Sequence, residues 1–134
     1  MDFLAITKEG DLLLIEYKDG SSTSGIYLSP LQIGLYFDIF KLLSSKIDLN
    51  QTVIEMLEQK KRIGLVNPNW KTPKLSGKVI PVLVISNPNY RSSAYEKFQE
   101  ILDICKKEKG DEFLKDLRTY SYTSSEGLTA LIKP

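Results

Sequence analysis

The first eighteen residues admit few local structures. Asp2-Phe-Leu-Ala-Ile is a strand-like run, Lys8-Glu9-Gly10 has turn composition, and Asp11-Leu-Leu-Leu-Ile-Glu16-Tyr17-Lys18 is a second run. Alternation along the second run puts Leu13, Ile15 and Tyr17 on one face and Leu12, Leu14, Glu16 and Lys18 on the other. A strand this apolar is expected to be buried, yet one face closes on a carboxylate and an ammonium. Buried charges are costly unless they are paired or hold a metal. The end of this hairpin is therefore the candidate site.

The turn decides whether Asp2 joins the pair. A two-residue Glu9-Gly10 loop would set Asp2 opposite Tyr17, but it needs positive φ at Glu9, which glutamate tolerates poorly. A three-residue Lys8-Glu9-Gly10 loop with Gly10 left-handed fits better. Thr7 then pairs with Asp11, and Asp2 falls directly across from Glu16. Two carboxylates opposed in a ladder repel; a divalent cation between them turns repulsion into ligation by the hard oxygen donors that Mg²⁺ prefers.

Composition narrows the chemistry further. The 134 residues contain no histidine and one cysteine, Cys105. Ser-His-Asp and Cys-His catalysis, histidine-metal nucleases and most zinc hydrolases are thereby excluded. Carboxylate, lysine and tyrosine remain for acid–base and metal work, and a Mg²⁺–carboxylate–lysine centre is among the few hydrolytic sites they build. Cys105 shares a helical stripe with Phe98, Ile101 and Leu102, which marks a packed thiol rather than a nucleophile. A net charge of +1 is a weak footprint for nucleic acid. Lys60-Lys61-Arg62 and the loop lysines 71, 74 and 78 read first as solvated polar surface. Length and a 42% hydrophobic content suit one globular domain over residues 1–134. No apolar run spans a bilayer, Met1-Asp2 is not a basic leader start, and a lone cysteine forms no internal disulfide, so a cytoplasmic protein is expected.

Beyond the hairpin, Asp19 to Gly25 reads as a polar loop, and Ile26-Tyr27-Leu28 as a short strand or an extended entry. Ser29-Pro30 has the composition of a helix start, with the helix running to about Leu43. Its apolar residues nearly encircle it, predicting burial on more than one side. Gln32 and Tyr36, four apart, share a face. Asp48 with Gln51 predicts a capped helix to about Arg62, ended by Gly64. Trp70, in the following loop, either stacks on a base or covers a core edge. Lys78 to Ser86, apolar on both faces, predicts a central or parallel strand, with Pro81 tolerated if its missing donor faces no neighbour. Ser93 with Glu96 starts a helix to about Lys107 that Gly110 terminates. A helical turn through Leu117 and a hairpin from Thr119 to Ile132 complete an α/β domain with a mixed sheet.

The pattern Asp2, then Glu16-Tyr17-Lys18, followed by Gln32-Ile-Gly-Leu-Tyr36, resembles the PD-(D/E)XK nuclease superfamily. It is similar to the RecB-like and lambda-exonuclease-like branch, whose helix carries Gln-x-x-x-Tyr. The likeness covers residues 2 to 36. It implies a restriction-endonuclease-like mixed β-sheet flanked by helices, opened here by the β-hairpin. The implied activity is divalent-metal-dependent phosphodiester hydrolysis with Mg²⁺ or Mn²⁺. Asp2, Glu16 and the carbonyl of Tyr17 would ligate the metal, and Lys18 would act with Asp2 and Glu16 in catalysis. Gln32 and Tyr36 would position the phosphate or Lys18, and the partner would be nucleic acid, DNA in the first instance. The family core has a helix and a strand before the Asp-bearing strand. The expectation is therefore an N-terminally truncated domain whose missing sheet elements come from the C-terminal segment or another subunit. The alternative is a catalytically inactive nuclease-like module that binds nucleic acid or protein; a third reading has Glu16 and Lys18 simply pairing with neighbours.

Overall fold

The computed structural model describes residues 1–109 and 115–131. Strands β1 (Phe3–Ile6) and β2 (Leu12–Asp19) are followed by helices α1 (Thr23–Ser44) and α2 (Leu49–Arg62). Strand β3 (Val79–Ser86), helix α3 (Ser93–Lys109) and strands β4 (Arg118–Thr123) and β5 (Gly127–Ala130) complete the chain. The five strands form one mixed sheet in sequence order, antiparallel at both ends and parallel across β2, β3 and β4. Gly110 and Ile132, expected to close α3 and the last hairpin, lie outside the described residues.

The first hairpin has the register that a three-residue turn requires. Phe3 faces Ile15 and Ile6 faces Leu12, Thr7 N–H donates to Asp11 O at 2.9 Å, and Gly10 has φ +90°. A Cβ on Gly10 would lie 2.0 Å from the Lys74 carbonyl oxygen, so glycine is required twice over, by conformation and by space.

The central strand follows its sequence. β3 lies between two parallel neighbours and is almost wholly buried. Leu12 N–H donates to Lys78 O, and the alternation that follows turns the Pro81 nitrogen away from β2 and toward β4. Pairing of β3 with β4 begins only at Val82–Arg118, so the missing donor meets no ladder partner.

Helix α1 departs from expectation. It begins seven residues before Pro30, at Thr23, so Ile26-Tyr27-Leu28 is helical and Pro30 lies inside. Proline cannot serve the carbonyl four residues back. That carbonyl belongs to Ile26, and the Ser29 hydroxyl donates to it at 2.6 Å. Ser29 thus repairs the gap made by its neighbour instead of capping a helix. The cap position is Ser22, whose carbonyl accepts from Ile26 N–H at 3.0 Å. For α2 the Asp48 carboxylate does accept from Gln51 N–H, at 3.1 Å.

The two crossovers, β2 to β3 and β3 to β4, advance across the sheet in one direction, and right-handed crossovers then place their helices on one face. Accordingly Ile26 of α1 and Tyr95 and Phe98 of α3 pack together on Leu83 and Ile85. Leu14 meets Ile33 and Phe37 of α1 beside them. On the opposite face Ile80, Val82 and Val84 cluster with Leu13, Ile15 and Tyr120, all strand or strand-flanking side chains. Helix α1 is long and apolar enough to cross a bilayer; here one side of it packs on the sheet.

Candidate functional site

Glu16 sits on the helix-covered face of β2, one position beyond the Leu14 core, and is 1% exposed. Lys18, two residues on, points to the same side, and its Nζ lies 2.5 Å from Glu16 Oε1. The second oxygen, Oε2, is 2.9 Å from the Met1 α-ammonium. A buried carboxylate therefore faces two cations, each of which still reaches water.

Helix α1 closes the site from above. The Tyr36 phenol is hydrogen-bonded by the Met1 α-ammonium and by Gln32, and these two donors hold its pKa below the ordinary tyrosine range. Burial opposes the charge on the α-amino group, but its hydrogen bonds to Tyr36 and Glu16 and their charges outweigh this, and its pKa is raised. The Met1 α-ammonium thus links the Glu16–Lys18 pair to Tyr36 and, through it, to Gln32.

Asp2 is placed differently. Its backbone N–H donates to Ile15 O at 2.9 Å, and its carboxylate accepts from Tyr17 N–H at 2.8 Å. Regular pairing ends at Phe3–Ile15, and in an unbroken ladder the Asp2 N–H would point away from β2; its bond to Ile15 O shows that the register slips at Asp2, as in a β-bulge. The expected rung of Asp2 across from Glu16 is therefore not formed, and the exposed carboxylate is committed to the backbone of Tyr17 instead of facing Glu16. The Tyr17 ring lies half-exposed on the opposite face of the sheet.

Met1 is the participant that side-chain reasoning missed. At the end of β2, Asp19 accepts from the hydroxyl and the N–H of Ser21 and from the Ser86 hydroxyl. The Ser21 hydroxyl first, then its N–H, then Ser86, hold the Asp19 carboxyl below its usual range. Trp70 lines an apolar groove of about 240 Å³ with Leu4, Ile6, Val53, Leu57 and Val66; Lys61 lies over its ring at 6.0 Å. The ring covers a core edge. Lys61 is also held by Glu58 and Thr72.

No protein-family model matches this chain, and no curated protein or solved structure matches it either.

Proposed function

We propose that this chain is a divalent-metal-dependent nuclease, or a domain of one, with a restriction-endonuclease-like fold. The observation that carries the reading is the meeting of the Glu16–Lys18 pair with Gln32 and Tyr36 under α1. The order of elements supports it as well: an antiparallel hairpin ends in Glu-x-Lys, then a helical crossover leads to a parallel strand.

The donors fit Mg²⁺ or Mn²⁺ in kind. All are hard oxygens, and the buried Glu16 Oε2 already faces a cation, the Met1 α-ammonium at 2.9 Å, in the place a metal ion would take. The Asp2 carboxylate accepts from the N–H of Tyr17, the residue after Glu16. Among the described residues no group of three or more His, Cys, Asp or Glu is placed to hold a cation, at this site or elsewhere. Asp2, Glu16 and the Tyr17 carbonyl would hold the ion, which when bound lowers the pKa of a water and polarises a phosphoryl oxygen. Lys18, as an ammonium, would orient the attacking water and offset charge on the phosphate. Gln32 and Tyr36 present hydrogen-bond donors that position a phosphate oxygen or the Lys18 ammonium.

A second reading, the nuclease-like module without catalysis, is favoured by one observation: Lys18 and the Met1 ammonium already balance Glu16. Thermal melting during Mg²⁺ or Mn²⁺ titration separates the two. A bound ion at 100 times Kd adds about 2.7 kcal/mol to stability, and Glu16→Gln abolishes the rise. Lys18→Met keeps the rise and loses cleavage of single- or double-stranded DNA. A rise without cleavage selects the inert module; neither rise nor cleavage overturns the metal site.

A further inference from the structure

The near-cylindrical apolar character of α1 predicts burial on more than one side, but the described residues of the single chain cover only one. Ile26, Ile33 and Phe37 face the core. On the opposite side Leu28, Leu31, Leu35, Ile39 and Leu42 are each 41–56% exposed. Steps of three and four residues keep these five on one stripe, about 21 Å long at 1.5 Å per residue. Soluble monomers leave isolated apolar side chains exposed, whereas a contiguous band at regular spacing marks an interface.

The order of the five residues says which kind. The steps from Leu28 to Leu42 are three, four, four and three, so the stripe reads the same in both directions about Leu35. An isologous two-fold contact demands this, because residue i meets j wherever j meets i. Two antiparallel copies of α1 set Leu28 against Leu42, Leu31 against Ile39, and Leu35 against itself. We propose that the protein is a homodimer joined by antiparallel α1 helices, with Leu35 on the two-fold axis.

The area is sufficient. The five side chains expose roughly 500 Å² per copy, so a pair buries on the order of 1,000 Å², the lower bound for a specific interface. The stripe carries no charged side chain, so nothing on it opposes its own copy across the axis. A second exposed apolar surface, the sheet face bearing Phe3, Tyr17, Tyr122 and Leu128, has no comparable internal symmetry. Gln32 and Tyr36 lie to one side of the stripe on α1, so the dimer does not consume the candidate site.

Sedimentation or light scattering over a range of concentrations tests the proposal. The wild type gives twice the monomer mass. Leu35→Glu places two like charges on the axis and gives monomers; because Leu35 is exposed in the single chain, the circular dichroism of the monomer stays near wild type, while its Tm loses the concentration dependence that the dimer shows. Leu35→Cys gives a covalent dimer on mild oxidation, with the buried Cys105 unable to substitute. Leu128→Glu on the sheet face leaves the mass unchanged. The proposal is overturned by a wild type that remains monomeric, by a dimer that survives Leu35→Glu, or by a dimer that Leu128→Glu dissolves.

Discussion

Replacing Lys18 by methionine strands the Glu16 carboxylate. Removing one partner of a buried ion pair costs about 3–5 kcal/mol, because the remaining charge keeps its desolvation penalty and loses its compensation. Two features of this site reduce the figure: Lys18 is 17% exposed, and the Met1 ammonium stays 2.9 Å from Oε2. About 2 kcal/mol is expected. For 134 residues an unfolding entropy of about 2.1 cal/mol/K per residue converts this to a fall in Tm of roughly 7 °C. The double variant Glu16→Leu/Lys18→Met removes both charges and keeps apolar volume under α1, so it recovers most of the loss. Chemical denaturation of the wild type, both single variants and the double variant yields the coupling energy directly. A Lys18→Met protein as stable as wild type, or a double variant worse than either single one, would refute the account of Glu16 as a buried charge held by its partners.

Gly10→Ala forces a Cβ to within 2.0 Å of the Lys74 carbonyl oxygen at φ +90°; a loss on the order of 2–3 kcal/mol in denaturant titrations is expected. Tyr36 ionises below the ordinary tyrosine range, read as the ultraviolet difference from Tyr36→Phe, and Gln32→Ala moves the transition upward. Asp19 has its folded pKa depressed by Ser21 and Ser86. Its contribution is therefore present above the unfolded carboxylate pKa and is lost as pH falls through the folded one. Asp19→Asn removes that part of the acid dependence of Tm while leaving melting near neutral pH less affected. Phe98→Ala opens a cavity against Leu83, Ile85 and Tyr95 and costs about 3–5 kcal/mol by the same denaturation assay.

Much of the fold was legible because its determinants are local. Gly10 sets the turn, the turn sets the register, and the period of two sets the faces. The Asp48–Gln51 cap and the doubly apolar β3 are equally local signals. The four-residue spacing of Gln32 and Tyr36, with Glu16-x-Lys18 before it, was enough to nominate groups that do meet. Local reading failed where one residue's effect is cancelled by another. Ser29-Pro30 has the composition of a helix start, yet the Ser29 hydroxyl satisfies the carbonyl that Pro30 cannot serve, and the helix continues through.

Sequence by itself determined which side chains share a face, because backbone periodicity is a property of the chain alone. Only the tertiary structure decided where each charge finds its partner. Asp2 is expected across from Glu16, but its N–H bonds to Ile15 and its carboxylate to the N–H of Tyr17, and the Met1 ammonium lies beside Glu16 instead. Partner choice depends on which donors are left over once the ladder ends and the helix closes above it, and that competition is visible only when all the elements are in place.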